Sequence, residues 1–148
     1  MVDKLRVVAG LIFSQNKILL GQRPDNGIHA SLWEFPGGKI KNGETPEEAL
    51  IRELIEELSV SIVTSKFAFQ IEYNYSELKR FVCLNFFLVK IDPPVVKNNI
   101  YAQLSFFTID EIRQLDLLEA DFKAIPEIEK LKNDLKQIAR FNNRNITL

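Results

Sequence analysis

The chain has 148 residues, 19 basic against 20 acidic, for a net charge of −1 and a pI near 5.9. That balance argues against a nucleic-acid polymer as partner, which would call for a basic face, and points to a small molecule instead. The length suits one ordinary domain, residues 1–148, burying about two-thirds of its unfolded surface. There is no charged-then-apolar leader and no apolar run of about 18 residues, so a cytoplasmic monomer without membrane contact is expected.

In chain order, Leu5–Ser14 and Lys17–Gln22 are apolar runs split by the turn-prone Gln15-Asn16, which predicts a hairpin. A loop over Asp25–Ser31 follows, then a short extended Trp33–Phe35 that Pro36-Gly37-Gly38 breaks, and a tight turn at Asn42-Gly43. Thr45-Pro46-Glu47-Glu48 is a helix start, with Thr45 as N-cap, Pro46 at N1 and Glu48 closing a capping box. Ile62–Tyr75 and Arg80–Ile91 have strand-like content and a short polar turn between them, predicting a second hairpin. After a loop at Asp92–Asn99 opened by Pro93-Pro94, Leu104–Thr108 reads as a last strand, Asp110–Leu115 as a short helix and Pro126–Arg140 as a terminal helix. Asn142–Leu148 has little to anchor it and is expected to be a disordered tail. The lone Cys83, in an apolar run with no histidine near it, is assigned to the core. Strands on both sides of a central helix, with another helix at the end, predict an α/β fold: a mixed central sheet sandwiched between helices.

Chemistry concentrates after the first glycine pair. At about 100° per residue, Glu53, Glu56 and Glu57 share one face of the helix, while Leu50, Ile51, Leu54, Ile55 and Leu58 form a stripe opposite, predicted to be the core face. Ala49 falls on the acidic side and leaves it open. Like charges at this spacing repel by about 0.2–0.5 kcal/mol per pair, so something must offset them. A hard divalent cation that bridges carboxylates to substrate phosphates would do so. So would a solvated face tied up by salt bridges, for which Arg52 supplies a partner at i+4 from Glu56.

The stretch Gly38–Val60 resembles the Nudix box of Nudix hydrolases. Gly38, Glu44, Arg52, Glu53, Glu56 and Glu57 fill six of its seven invariant positions, with Leu54 and Val60 at the aliphatic ones. At ordinary residue frequencies such a match arises by chance with a probability on the order of 10⁻⁷ per starting point. The departure is Ser59, where the family has a glycine in a left-handed turn; a serine in that conformation costs roughly 1 kcal/mol. Leu20-Gly-Gln-Arg23, Trp33–Ile40, Gly43-Glu44-Thr45-Pro46 and, more weakly, Ala120-Asp121 are similar to MutT, the branch that hydrolyses nucleoside triphosphates, including oxidised guanine nucleotides.

This resemblance implies a Nudix-type α/β/α sandwich and a Mg²⁺ cofactor, with Mn²⁺ as a possible substitute, held by Glu53, Glu56, Glu57 and the backbone carbonyl of Gly37. It implies Glu53 as base or second ligand, Arg52 as the residue that orients Glu56 or the glycine loop, and Glu44 as a helix-dipole or loop contact beside the catalytic group. Substrate-facing positions are Arg23, Glu34, Phe35, Pro36, Gly37, Arg80 and Asp121. His29 lies next to a family histidine position but reads as a surface-loop residue, and Trp33 reads as core. The loop glutamate that helps hold metal in MutT has no counterpart in Lys97–Gln103, where the amides of Asn98, Asn99 or Gln103 are the substitutes on offer.

Asp121 stands where MutT proteins carry an asparagine that reads the base. An ionised aspartate only accepts hydrogen bonds, which suits the N4 amino group of cytosine; a protonated one also donates. The readings are therefore hydrolysis of 8-oxo-dGTP to monophosphate and pyrophosphate, protecting the nucleotide pool from mutagenic precursors; hydrolysis of CTP, dCTP or another nucleoside diphosphate derivative; and a non-catalytic nucleotide-binding module, disfavoured by retention of all three glutamates.

Overall fold

The computed structural model describes residues 3–148. Strand β1 (Asp3–Leu11) lies inside a four-stranded mixed sheet ordered β5-β1-β7-β6, in which β5 is Gly37–Lys39, β6 Ile62–Tyr75 and β7 Arg80–Ile91. It pairs in parallel with β7, Asp3 opposite Arg80 through Leu11 opposite Leu88, and antiparallel with β5. A second sheet joins β4 (Trp33–Glu34), β3 (Lys17–Gln22), β2 (Phe13–Ser14) and β9 (Asn142–Asn143), with β8 (Gln103–Phe107) also on β3.

The first predicted hairpin is therefore only its tip. Phe13–Ser14 pairs with Lys17–Ile18, whereas Asp3–Leu11 belongs to the other sheet. Leu11, Ile12 and Phe13 are all fully buried where the chain passes between sheets, and such two-sided burial produces a continuous apolar run that looks the same for either arrangement. The second hairpin, β6 with β7, forms as expected, with bulges between Ile62 and Thr64 and between Phe67 and Phe69.

Helix α1 (Pro46–Leu58) begins with the full capping box: Glu48 N–H donates to Thr45 Oγ1 at 3.1 Å and Thr45 N–H to Glu48 Oε1 at 3.2 Å. It ends at Ser59 in the left-handed region, φ 54°, as the missing glycine requires. The face it buries is not the one the periodicity predicts. Ala49, Leu50, Leu54, Glu57 and Leu58 are buried, while Ile51 and Ile55 are 42% and 51% exposed. The helix packs on β5 and β1, and β5 contributes two glycines with no side chain to hold it off, so the acidic edge turns inward.

The four-stranded sheet is covered on one side by α1 and on the other by helices α2 (Ile109–Ile112), α3 (Glu119–Phe122) and α4 (Ile125–Lys132). One core gathers Phe13, Phe86, Phe141 and Ile128; the other gathers Leu50, Leu54, Phe87 and Leu19. This is the expected sandwich. The predicted terminal helix is divided into α4 and α5 (Leu135–Ala139), because Asn133-Asp134 intervenes and Asp134 caps the second segment through Gln137 N–H.

Two further readings are corrected. The segment 142–148 is anchored: β9 pairs with β2, Ile146 N–H donates to Ser14 Oγ, Thr147 bridges Val95, and Asn143 and Ile146 are buried. Cys83 is only half-buried, between Arg6 of β1 and Glu72 of β6, and belongs to neither core; burial first, then the charge of Glu72, pushes its thiol up. Among the described residues no helix is long and apolar enough to cross a membrane.

Candidate active site

The glycine pair is a strand, not a loop. Gly37 and Gly38 lie opposite Ala9 and Val8 in β5, so close that a Cβ on Gly37 would sit 1.9 Å from the Val8 carbonyl oxygen. On the other side a Cβ on Gly38 would sit 2.3 Å from the carboxyl carbon of Glu53. The carboxylate of Glu53 thus rests directly on the glycine backbone.

Arg52 organises this edge. Its guanidinium holds both oxygens of Glu44, donates to Glu53 Oε1 at 2.8 Å and to the Lys39 carbonyl at 3.0 Å, and lies 3.6 Å from Glu56. One side chain so ties helix, turn and β5 together, and hydrogen bonding to Arg52 holds the Glu44 carboxyl below its ordinary range. Glu56 remains more than half exposed. Glu57 is turned inward: its Oε1 accepts from Gly37 N–H at 3.0 Å and from the Tyr101 hydroxyl at 2.9 Å. Burial pushes its carboxyl up to about 8, against the pull of those two donors.

Next to this edge a cavity of about 460 Å³ opens between the inner face of the four-stranded sheet and α3. Arg23, Glu34, Phe35, Gly37, Arg80 and Asp121, six of the seven expected substrate positions, line it, as does Glu57. Pro36 does not; its carbonyl accepts from Gly10 N–H, which fixes the start of β5. Glu44, Arg52, Glu53 and Glu56 lie outside the cavity lining, on the helix side of the glycine strand.

Arg23 is engaged by Glu34 at 2.8 Å, while Arg80, weakly paired with Asp3 at 3.8 Å, has a buried Nε that finds no hydrogen-bond partner among the described residues. Phe35 is 2% exposed and packs edge-on against Phe86, forming floor rather than a free stacking platform. Trp33 packs on Phe107, as core. Asp121 is 4% exposed. Burial, then the charge of Glu34, raises its carboxyl well above the usual range, opposed by a hydrogen bond with the Phe35 backbone and by Arg23.

Several residues at the cavity carried little signal in the sequence. His29 is not a plain surface residue; it lines the cavity and packs on Tyr75, and burial, then Arg23 and Arg80, lowers its proton affinity. Tyr75 accepts from Ala120 N–H and pins α3 to β6. Tyr101 lies in the Lys97–Gln103 segment, which holds no acid, and its phenol carries no charge to mark it in the sequence. Of the expected amide substitutes, the Asn98 oxygen is taken by Tyr101 N–H, Asn99 donates through its amide nitrogen to Glu56 O and Ser59 Oγ, and Gln103 is exposed on β8.

Among the described residues no three carboxylate, thiol or imidazole side chains converge as they stand into a ligand set. Yet the donors fit a hard divalent ion. Glu53, Glu56, Glu57 and the Gly37 carbonyl are all oxygen donors, and the side-chain-free Gly37-Gly38 backbone gives the close approach that such an ion needs.

The NUDIX domain model matches residues 3–128. An 8-oxo-dGTP diphosphatase of Proteus vulgaris is 38% identical over 92 residues, 60% of this chain and 80% of that protein. A CTP pyrophosphohydrolase of Escherichia coli K12 is 44% identical over 63 residues, 43% of this chain and 47% of that one. Among solved structures, the E. coli ORF135 protein superposes with a TM-score of 0.77 at 29% identity, covering 90% of this chain and 94% of its own. The MutT protein from Methanosarcina mazei Go1 gives 0.73 at 25% identity, covering 89% and 96%. With the box glutamates set against a glycine strand and a nucleotide-sized cavity beside them, the chain belongs to the Nudix family, as a MutT-like hydrolase acting on nucleotide derivatives.

Proposed function

We propose that the chain cleaves 8-oxo-dGTP to the monophosphate and pyrophosphate in the cytoplasm, as a monomer, with Mg²⁺ held by Glu53, Glu56, Glu57 and the Gly37 carbonyl. The similarity to 8-oxo-dGTP diphosphatases supports the substrate class, and the observation that carries the choice of base is Asp121. Burial, at 4% exposure, and the neighbouring charge of Glu34 both favour the neutral form of this carboxyl. A neutral carboxyl accepts through one oxygen and donates through the other, which matches the N7–H and O6 edge of 8-oxoguanine. Arg80, with its unpartnered Nε, and Arg23 are the donors for the remaining acceptors of base or phosphate.

A bound divalent ion would neutralise the phosphates and acidify an attacking water. Glu53 would serve as base or as second ligand: Arg52 occupies its Oε1 and fixes its orientation, which leaves Oε2 for one of those two roles. Glu44 and Arg52 act on that geometry rather than on the substrate.

Steady-state kinetics on 8-oxo-dGTP and CTP test the reading. Asp121→Asn, which keeps one donor and one acceptor, should hold kcat/KM for 8-oxo-dGTP within about threefold, and Asp121→Ala should lower it at least tenfold, about 1.4 kcal/mol. A wild-type preference for CTP that Asp121→Asn abolishes would instead identify an ionised aspartate reading the cytosine amino group.

A further inference from the structure

Tyr101 is fixed from three directions. Its backbone is bracketed by Asn98, which accepts from Tyr101 N–H at 2.8 Å and donates to the Tyr101 carbonyl at 2.9 Å. Its ring lies flat on Gly21 of β3, where a Cβ would come within 2.4 Å of two ring carbons and 2.6 Å of a third. Its hydroxyl, in a side chain 7% exposed, donates to Glu57 Oε1 at 2.9 Å. The Gly37 N–H donates to that same oxygen, so both donors converge on Oε1 and, among the described residues, Oε2 receives none.

A phenylalanine would fill the slot over Gly21 equally well. What the hydroxyl adds is a fixed rotamer for a carboxylate beside the cavity, in the segment that offers no acid of its own. Groups that hold a ligand's far side set its direction and affinity without touching the ion. We propose that Tyr101 is a positioning residue: it fixes the rotamer of Glu57 and leaves Oε2 as the oxygen that would hold a divalent ion, without ligating the ion itself, and Gly21 is the slot that makes room for it. This rests on the reading of Glu57 as a metal ligand.

The test is Mn²⁺ binding to the nucleotide-free protein, followed by the resonance signal of free Mn²⁺, for wild type, Tyr101→Phe, Gly21→Ala and Glu57→Gln, each checked for cooperative melting. Tyr101→Phe keeps the ring and removes only the hydroxyl; it should weaken Mn²⁺ about tenfold, and its kcat deficit at limiting Mn²⁺ should vanish at saturation. Gly21→Ala leaves the phenol chemically intact but displaces the ring, and should weaken Mn²⁺ similarly even if Tyr101→Phe were to fold poorly. If Glu57→Gln weakens binding and folded Tyr101→Phe or Gly21→Ala does not, Tyr101 is core packing and the proposal fails alone. If Glu57→Gln binds Mn²⁺ as the wild type does, Glu57 is no ligand, and the proposal falls together with the reading beneath it.

Discussion

Arg52 reaches back eight residues to grip both carboxylate oxygens of Glu44, at 2.6 and 3.0 Å, while the same guanidinium holds Glu53 at 2.8 Å. A planar fork holds both carboxylates in fixed directions, bidentate on one of them, which an ammonium's three rotatable donors do not. Arg52→Lys should therefore lower kcat at least tenfold while KM stays within about twofold, because Glu53 loses its orientation and the substrate loses nothing. Steady-state kinetics decide the matter, and a change confined to KM would place Arg52 on the substrate.

Glu53→Gln and Glu57→Gln should each remove at least ~10²-fold of activity without unfolding the protein, since each neutralises a ligand or base. Glu57 sits in the interior, yet a glutamine retains a carbonyl oxygen to accept from Gly37 and Tyr101. Turnover at saturating Mg²⁺ alongside thermal melting separates chemistry from folding. Near-wild-type turnover in either variant would remove that glutamate from the metal and base roles.

Asp121 has a carboxyl raised in the folded state. Its contribution to stability is complete below its unfolded value, near 3.9, and is lost as the pH rises toward the folded value. Asp121→Asn cannot ionise, so its melting temperature relative to wild type should climb steadily as the pH is raised from 4. Melting curves across pH give the answer; a constant difference would mean that Asp121 titrates normally.

Ser59 closes α1 at φ 54°, with Oγ accepting from Asn99. Glycine and alanine both remove that oxygen, but only glycine is unstrained there. Ser59→Gly should exceed Ser59→Ala in stability by about 1 kcal/mol, measured by urea denaturation; equal midpoints would show that the left-handed cap carries no strain.

Deleting residues 142–148 removes the pairing of β9 with β2, the buried Ile146 and the backbone bonds that join Thr147 to Pro94 and Val96. The expected loss is about 2–4 kcal/mol, from one buried isoleucine and a few net hydrogen bonds. An unchanged urea midpoint would return the segment to the status of a loose tail.

What sequence alone could show divides by range. The capping box at Thr45 and the β6–β7 hairpin are set by neighbours within a few residues, and each was readable, whereas the left-handed Ser59 was expected only through the family glycine it replaces. The buried face of α1 was misassigned because periodicity weighs Ile51 and Ile55 as core and Glu57 as surface, whereas the face was chosen by how closely β5 approaches. The anchoring of Asn143 depends on partners such as Val89, 54 positions away. Tyr101 and Glu57, 44 positions apart, leave no local trace of their pairing.

The parallel register of β1 with β7 joins positions 77 apart along its whole length, from Asp3–Arg80 to Leu11–Leu88. Closing a loop of that size costs about 4 kcal/mol of chain entropy before any contact repays it, and such non-local pairing slows folding. The box glutamates, the glycine strand and Arg23 all lie inside that loop. Hydrolytic competence therefore depends on that long-range seam, and a lesion at its end away from the cavity, at Leu11 or Leu88, should register as a smaller fraction of active molecules rather than as altered kinetics in each one.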